Sequence, residues 1–367
     1  MPVVINGKSL TIDKVVEVAR KKTEISVSEK SWNKINSCRK MLEEKISNHE
    51  IMYGITTGIG EFSEVTLDPN QTKEFQKLLI YSHAAGIGDP MDIEIVRGAM
   101  CGRINVHSKG HSGGRKEITE YLIQALNHDL TPVVCEKGSV GACGDLSPMS
   151  QIALALMGEG EMFDNGKIVN SKEALKKIGL KPLELEARDG LALINGSNVL
   201  TALAAIILYD AKKWMKLHDI AAAMTLEALM ANMKPYDKRI HQLRGYTGSQ
   251  IVANNLNKLT EESEILFSGG KKVQDAYSMR STPQVAGTLR DSIDYAASQV
   301  EIELNGVGDN PIFLTEEKDV LTGANFQGTP IALPMEMVGT GLSMVAVLSE
   351  RRTVSYTHLT LPTISRV

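Results

Sequence analysis

Along most of the chain the apolar positions recur at helical spacing, and few breakers interrupt them. The longest such stretch, "NVLTALAAIILYDAKKWMKLHDIAAAMTLEALMANM" (198–233), is apolar around much of its circumference, which predicts a helix in the middle of a bundle. Two further long helical patterns cover 281–305 and 331–353, and shorter ones cover 92–108 and 115–129. Near the start, residues 3–12 predict two short strands about a turn at Asn6-Gly7. Asp13 is then the expected cap of the helix "KVVEVARKK", and Ser28 that of a helix reaching about Ile46. Glycine clusters at 54–60, 86–88, 110–114 and 138–144 punctuate the pattern. The expected fold is mainly α: a long central helical bundle, glycine-rich loops at its end and a small N-terminal strand pair. The expected division is an N-terminal domain over 1–195, the bundle over 196–353, and a tail over 354–367.

Composition narrows the function classes. The 367 residues carry a net charge of −4 and no dense basic block, so nothing favours nucleic acid. The run "VLTALAAIILY" (199–209) is too short to span a bilayer, and the N-terminus lacks the apolar core of a signal peptide, so the expectation is a cytoplasmic protein away from membranes. The four cysteines, Cys38, Cys101, Cys135 and Cys143, include no C-x-x-C pair. His107 and His111 stand four apart but lack the H-E-x-x-H glutamate, and the glycines after them argue for a loop, so no metal is expected. No G-x-x-x-x-G-K-[ST] phosphate cradle is present, and no strand is expected to lead into the glycine loops.

The loop "GSVGACGDLSPMSQ" (138–151) carries the sharpest chemistry. Small residues flank Cys143 on both sides. Attack of the Gly144 amide nitrogen on the Ala142 carbonyl carbon closes a five-membered imidazolone with loss of water. β-Elimination of the Cys143 sulfur as hydrogen sulfide then leaves an exocyclic methylidene, an electrophile built from the chain itself. Two other readings stay open on the loop alone: a buried structural cysteine, and a catalytic thiolate near a helix N-terminus. Asp145 is most simply a cap for the helix that begins near Ser147.

Seven other blocks frame this loop. Tyr53 precedes a glycine-rich turn in "YGITTGIGEF". A free tyrosine titrates near 10, so it acts as a base near neutrality only beside positive charge or donors. "SHAAGIGDP" carries His83, "LINGSN" carries Asn195 as a candidate helix N-cap, and "GANFQGTPI" carries the turn residues Asn325 and Phe326. "QDAYSMRSTPQ" spaces Gln274, Tyr277 and Arg280 at i, i+3 and i+6, with Arg280 offering a bidentate fork for a carboxylate. "RINVHSKGHSGGR" and "GDNPIF" complete the set.

Together these blocks, from about residue 4 to 353, resemble the aromatic amino acid ammonia-lyase family: the histidine and phenylalanine ammonia-lyases and related aminomutases, the histidine enzymes most of all. The family signature reads Ala-Ser-Gly where this chain has Ala142-Cys143-Gly144. The resemblance implies a fumarase/aspartase-like helical fold and a 4-methylidene-imidazol-5-one formed from residues 142–144, with no external cofactor. It implies that Tyr53 removes the substrate β-proton, Arg280 binds the carboxylate, and Tyr277 and Gln274 line the site. It further implies that Asn195 helps hold the ring oxygen and the substrate, that Asn325 and Phe326 line the pocket, and that His83 hydrogen-bonds an imidazole. Products are ammonia and urocanate from histidine, or a cinnamate from phenylalanine or tyrosine; a 2,3-aminomutase returns the ammonia to the β-carbon. Family members are homotetramers with shared active sites and continue past this chain's end, so a truncation near Thr353 with a non-native tail is expected. A helical homologue that lost the chemistry is the remaining alternative.

Overall fold

The computed structural model describes residues 1–269 and 272–360, and they fold into two units. The first comprises 1–206 and 299–332. It opens on β1 (Val3–Ile5), α1 (Ile12–Arg20), β2 (Ile25–Val27) and α2 (Glu29–Ser47). The N-terminal strands are not a hairpin: β1 pairs in parallel with β2, Val3 opposite Ile25. Asn6-Gly7 is a turn, with Gly7 at φ +78° and the Asn6 side chain accepting from the Lys8 and Ser9 amides. It delivers the chain into α1, whose cap is Thr11 where the pattern suggested Asp13. Ser28 caps α2 as expected, accepting from the Ser31 amide at 3.3 Å.

The rest of this unit is α3 (Pro69–His83), β3 (Ile87–Pro90), α4 (Ile93–His107), α5 (Lys116–Asn127), β4 (Leu130–Pro132), β5 (Cys135–Lys137), α6 (Leu146–Leu156), β6 (Glu161–Asp164), β7 (Lys167–Asn170), α7 (Ser171–Lys177) and α8 (Asp189–Ile194). The start of α9 (Asn198–Ala228), the end of α14 (Thr282–Leu304), and the hairpin β8 (Ile312–Leu314) to β9 (Asp319–Leu321) complete it. β3 pairs antiparallel with β5, so a short strand does lead into the 138–144 loop. Helices α3, α6 and α8 pack pairwise. α3 ends at His83, α8 ends just before Asn195, and α6 begins just after Gly144. That packing therefore gathers three of the expected site segments at helix ends.

His107, the last residue of α4, ties three helices together. Its Nδ1 lies 2.9 Å from Thr119 Oγ1 on α5 and its Nε2 2.8 Å from Ala192 O on α8. Burial, reinforced by the Arg103 charge, drives its pKa from 6.5 to about 3. The folded protein thus keeps this ring neutral, while the unfolded chain takes up a proton as pH falls below 6.5. The stability it contributes is complete above that value and is lost progressively toward pH 3, by about 1.4 kcal/mol per pH unit. From pH 7 to pH 5, the parent protein should lose about 2 kcal/mol more unfolding free energy than His107→Gln, whose amide can make both bonds. Urea titrations at the two pH values measure this.

The second unit, 207–298 with the stretch from 333 on, holds most of α9, then α10 (Lys238–Arg244), α11 (Thr247–Leu259), α12 (Glu264–Phe267), α13 (Tyr277–Arg280), most of α14 and most of α15 (Thr329–Thr360). The helical stretch 189–228 is long and apolar enough to cross a membrane, but 83% of its most apolar window is buried in the protein, as in a bundle's central helix. In the matching window of 329–357 only 33% is buried. α15 continues to Thr360, past the expected break at Thr353. Its Ser355 and Thr357 hydroxyls bond back to the Arg351 and Thr353 carbonyls, which accommodates β-branched and hydroxyl residues in the helix. Of the expected tail, 361–367 lies outside the described residues.

Candidate active site

The loop 138–144 is a tight turn built on two left-handed glycines, Gly141 at φ +71° and Gly144 at φ +76°. The Gly144 amide donates to Gly141 O at 3.3 Å, and Ala142 and Gly144 sit opposite one another as bridge partners. Ala142 and Cys143 are exposed; Gly144 is buried. A Cβ on Gly144 would lie 2.7 Å from Gly196 O and 2.8 Å from Gly196 C, so backbone fills the space a side chain needs. Gly144→Ala should lower stability by about 1–2 kcal/mol from the left-handed backbone alone, with the clash adding to it; a thermal melt measures the sum.

Asp145 does not cap its own helix. It occupies the cap position of α6 without a side-chain cap bond. Its Oδ1 instead accepts from Ser139 Oγ at 2.6 Å, and its Oδ2 from the Leu200 amide at 2.9 Å, in the first turn of α9. Its own amide donates to Gly196 O at 2.9 Å. Burial raises its pKa against these bonds, which favour the charged form. Asp145 thereby stitches the loop to both α9 and the Asn195-Gly196 turn. Ser147 Oγ, beside Gly138, and Asn198 Oδ1, beside Gly196, are buried and make no hydrogen bond among the described residues.

Asn195 is a helix C-cap where the sequence suggested an N-cap: it ends α8 at φ −84°, ψ 87°. Its Nδ2 donates to Asn310 O at 2.6 Å, and its carbonyl accepts from Arg103 Nη1 at 2.9 Å. Asn325 and Phe326 form the expected turn, and Phe326 O accepts from Ser197 Oγ at 2.6 Å. The Gly328 amide reaches Gly141 O at 3.4 Å. Three segments, 141–145, 195–198 and 325–328, are thus hydrogen-bonded together.

Tyr53 and His83 lie on segments held against α8 and the 138–144 loop. The Tyr53 phenol oxygen accepts from the Gly60 amide at 3.1 Å, within its own loop. That loop is anchored to α8 through Gln76, which donates to Gly54 O and accepts from the Leu191 amide. His83 Nδ1 lies 2.9 Å from both Leu79 O and Ser82 Oγ, so its Nε2 makes no hydrogen bond among the described residues. The segment that follows is held against the loop: a Cβ on Gly138 would lie 3.1 Å from Gly86 Cα.

In the second unit Gln274, Tyr277 and Arg280 do converge. The Gln274 amide lies against the Arg280 guanidinium, its oxygen turned toward the cation. The Arg280 guanidinium lies 5.3 Å from the centre of the exposed Tyr277 ring. The single turn of α13 brings the latter two together.

Sequence reading missed the buried ion network behind Asn195. Arg103, Arg188 and Asp309 are each fully buried, and Asp309 bridges the two guanidiniums at 2.8 and 2.6 Å. The signal was an arginine in the apolar run "GAMCGRINV", where a charge is buried only with a partner. His107 and His111 are committed elsewhere, the latter through Nδ1 at 2.7 Å from Phe313 O.

A mainly helical fold whose helix ends gather a glycine-braced Ala-Cys-Gly turn, an asparagine and a histidine is the architecture of a carbon–nitrogen lyase acting on amino acids. The model of the family described as aromatic amino acid lyase matches residues 10–363, and the chain belongs to that family. It is 42% identical over 351 residues to a histidine ammonia-lyase of Alkaliphilus oremlandii (strain OhILAs), covering 95% of this chain and 69% of that one. It is 43% identical to a histidine ammonia-lyase of Clostridium tetani (strain Massachusetts / E88), covering 95% and 68%. Among solved structures, histidine ammonia-lyase from Trypanosoma cruzi superposes with a TM-score of 0.89 at 34% identity, covering all of this chain and 69% of that one. Tyrosine aminomutase from Streptomyces globisporus does so with a TM-score of 0.88 at 33% identity, covering 96% and 70%. The chain is an ammonia-lyase of the carbon–nitrogen class.

Proposed function

We propose that the chain eliminates ammonia from L-histidine to give trans-urocanate, with an electrophile closed autocatalytically from Ala142, Cys143 and Gly144. The observation that carries the electrophile is the turn itself, which sets Gly144 opposite Ala142 and holds Gly144 where only glycine fits. Gly144 nitrogen bonds to the Ala142 carbonyl carbon and the carbonyl oxygen leaves as water. Cys143 then loses its α-proton and its sulfur, which depart as hydrogen sulfide. The resulting methylidene-imidazolone supplies a strong electrophile that makes the substrate amine a good leaving group.

The chain's own residues do the rest. Tyr53 takes the β-proton on its phenol oxygen, to which the Gly60 amide already donates. By resemblance to the family, whose members share active sites between subunits, Arg280 grips the substrate carboxylate, with Gln274 and Tyr277 beside its guanidinium. Asn195 is fixed against the 142–144 turn to hold the ring oxygen and the substrate, with Asn325 and Phe326 lining the same pocket. His83 hydrogen-bonds the substrate imidazole, which supports histidine over phenylalanine, as do relatives bearing the histidine ammonia-lyase name. As the β-proton leaves, the carbon–nitrogen bond breaks, the double bond forms and ammonia departs.

We read the working form as a cytoplasmic homotetramer. Large apolar side chains stand exposed on α9 (Leu217, Met224) and α15 (Leu333, Met344), which supports burial between subunits; Cys38, Cys101 and Cys135, all outside any disulfide, suit a reducing compartment. Incubation with L-histidine, L-phenylalanine and L-tyrosine, with products identified by mass, tests the assignment. Urocanate from histidine alone is expected; a cinnamate or a β-amino acid as sole product would overturn it.

A further inference from the structure

Among the described residues, Arg103, Asp309 and Arg188 form a network with no hydrogen bond to the 142–144 turn, yet every part of it bears on the segment that carries Asn195. Arg103 donates to both sides of a seam. On one side, Nε meets Ala192 O at 2.6 Å and Nη1 meets Asn195 O at 2.9 Å. On the other, Nη1 meets Gly308 O at 3.0 Å and Nη2 meets Asp309 Oδ2 at 2.8 Å. Arg188 closes the far end, with Nη1 on Asn310 O at 2.9 Å, Nη2 on Asp309 Oδ1 at 2.6 Å and Nε on Ser112 O at 2.7 Å.

The acceptor of the Asn195 side chain is that same Asn310 carbonyl, at 2.6 Å. The network therefore sets both ends of the Asn195 hydrogen bond: Arg103 fixes the residue that donates, and Arg188 fixes the carbonyl that accepts. The next residue along is Gly196, whose carbonyl takes the Asp145 amide and fills the space beside Gly144. A Cβ on Gly196 would lie 2.8 Å from Gly308 O and 2.9 Å from Arg103 Nη1, so no slack remains at the seam. Arg188 itself takes a left-handed backbone at φ +75°, rare for a side chain of its size and held here by its hydrogen bonds.

We propose that the Arg103–Asp309–Arg188 network is a positioning device for Asn195 and the 142–144 turn, acting on the elimination through Asn195. The proposal rests on the functional reading above. A lysine at 103 keeps the charge but offers one donor point where the seam needs a fork. An asparagine at 309 keeps the shape but leaves two guanidiniums without their counter-charge.

The test is a double-mutant cycle with a structural arm. Arg103→Lys and Asp309→Asn are each expected to lower kcat for urocanate release at least tenfold, with KM changing less than threefold. Each should add under twofold to the loss already caused by Asn195→Ala. Hydrogen exchange supplies the structural arm: peptides covering 138–151 and 191–200 should exchange faster in either variant, with α1 and α2 unchanged. Full multiplication of the losses in the double variants would overturn the proposal, as would unchanged kcat in a folded Arg103→Lys protein. Failure of both variants to fold would also overturn it, by making the network a general support of the fold. If the parent protein forms no urocanate, the functional reading fails on its own, and the exchange arm still decides whether the network holds the turn.

Discussion

Cys143→Ala is expected to lower turnover about a thousandfold or more, a barrier rise of about 4 kcal/mol, while leaving the protein folded. The side chain is exposed, so its removal should change stability by no more than about 0.5 kcal/mol. The loss is chemical: without a leaving group on residue 143 the methylidene cannot form, and the substrate amine meets no electrophile. Cys143→Ser should stay active, because water replaces hydrogen sulfide as the group expelled. A thiolate mechanism predicts the opposite order, with serine nearly as damaging as alanine and iodoacetamide abolishing activity. Kinetics of the two variants beside the parent, with and without iodoacetamide, separate these accounts.

Arg280→Lys is expected to cost about a hundredfold in kcat/KM, close to 3 kcal/mol. Lysine preserves the charge but not the planar fork that meets a carboxylate with two parallel bonds. The loss should lie mainly in KM, since carboxylate binding is common to ground state and transition state. Gln274→Ala, which leaves the guanidinium present but unaimed, should lose about tenfold. Saturation kinetics with histidine measure both. A lysine variant within threefold of the parent would show that Arg280 does not grip the carboxylate.

The parts of the fold set by local periodicity are legible in the sequence. The long apolar patterns became α9, α14 and α15, and Ser28 capped α2, because spacing and a capping hydroxyl act over a few residues. Asn6-Gly7 was a correct turn attached to a wrong partner. The strand that β1 needed lies after α1, and parallel pairing leaves no local signature. Asp145 and Asn195 depart from the expected caps for a related reason. Each sits where a helix terminus invites a cap, but their side chains answer to partners 55 and 115 residues away. Site segments could be named from their blocks because glycine, cysteine and hydroxyl residues declare their chemistry. The clamp behind them could not, since a buried arginine shows only that a partner exists somewhere in the chain.

The same division bears on the cysteine at 143. Nothing in its immediate neighbours tells a thiol in use from a thiol to be expelled. The surrounding geometry favours expulsion: Gly144 is held where only glycine fits, Asp145 ties the turn to α9, and the Asn195-Gly196 turn braces it from behind. The intact mass of the purified protein, with the peptide spanning 138–151 isolated to locate the change, tests this most directly. A mass lower than that of the sequence by one water and one hydrogen sulfide, confined to residues 142–144, is the predicted result. An unmodified peptide carrying a free Cys143 thiol in protein that still releases ammonia from histidine would contradict it.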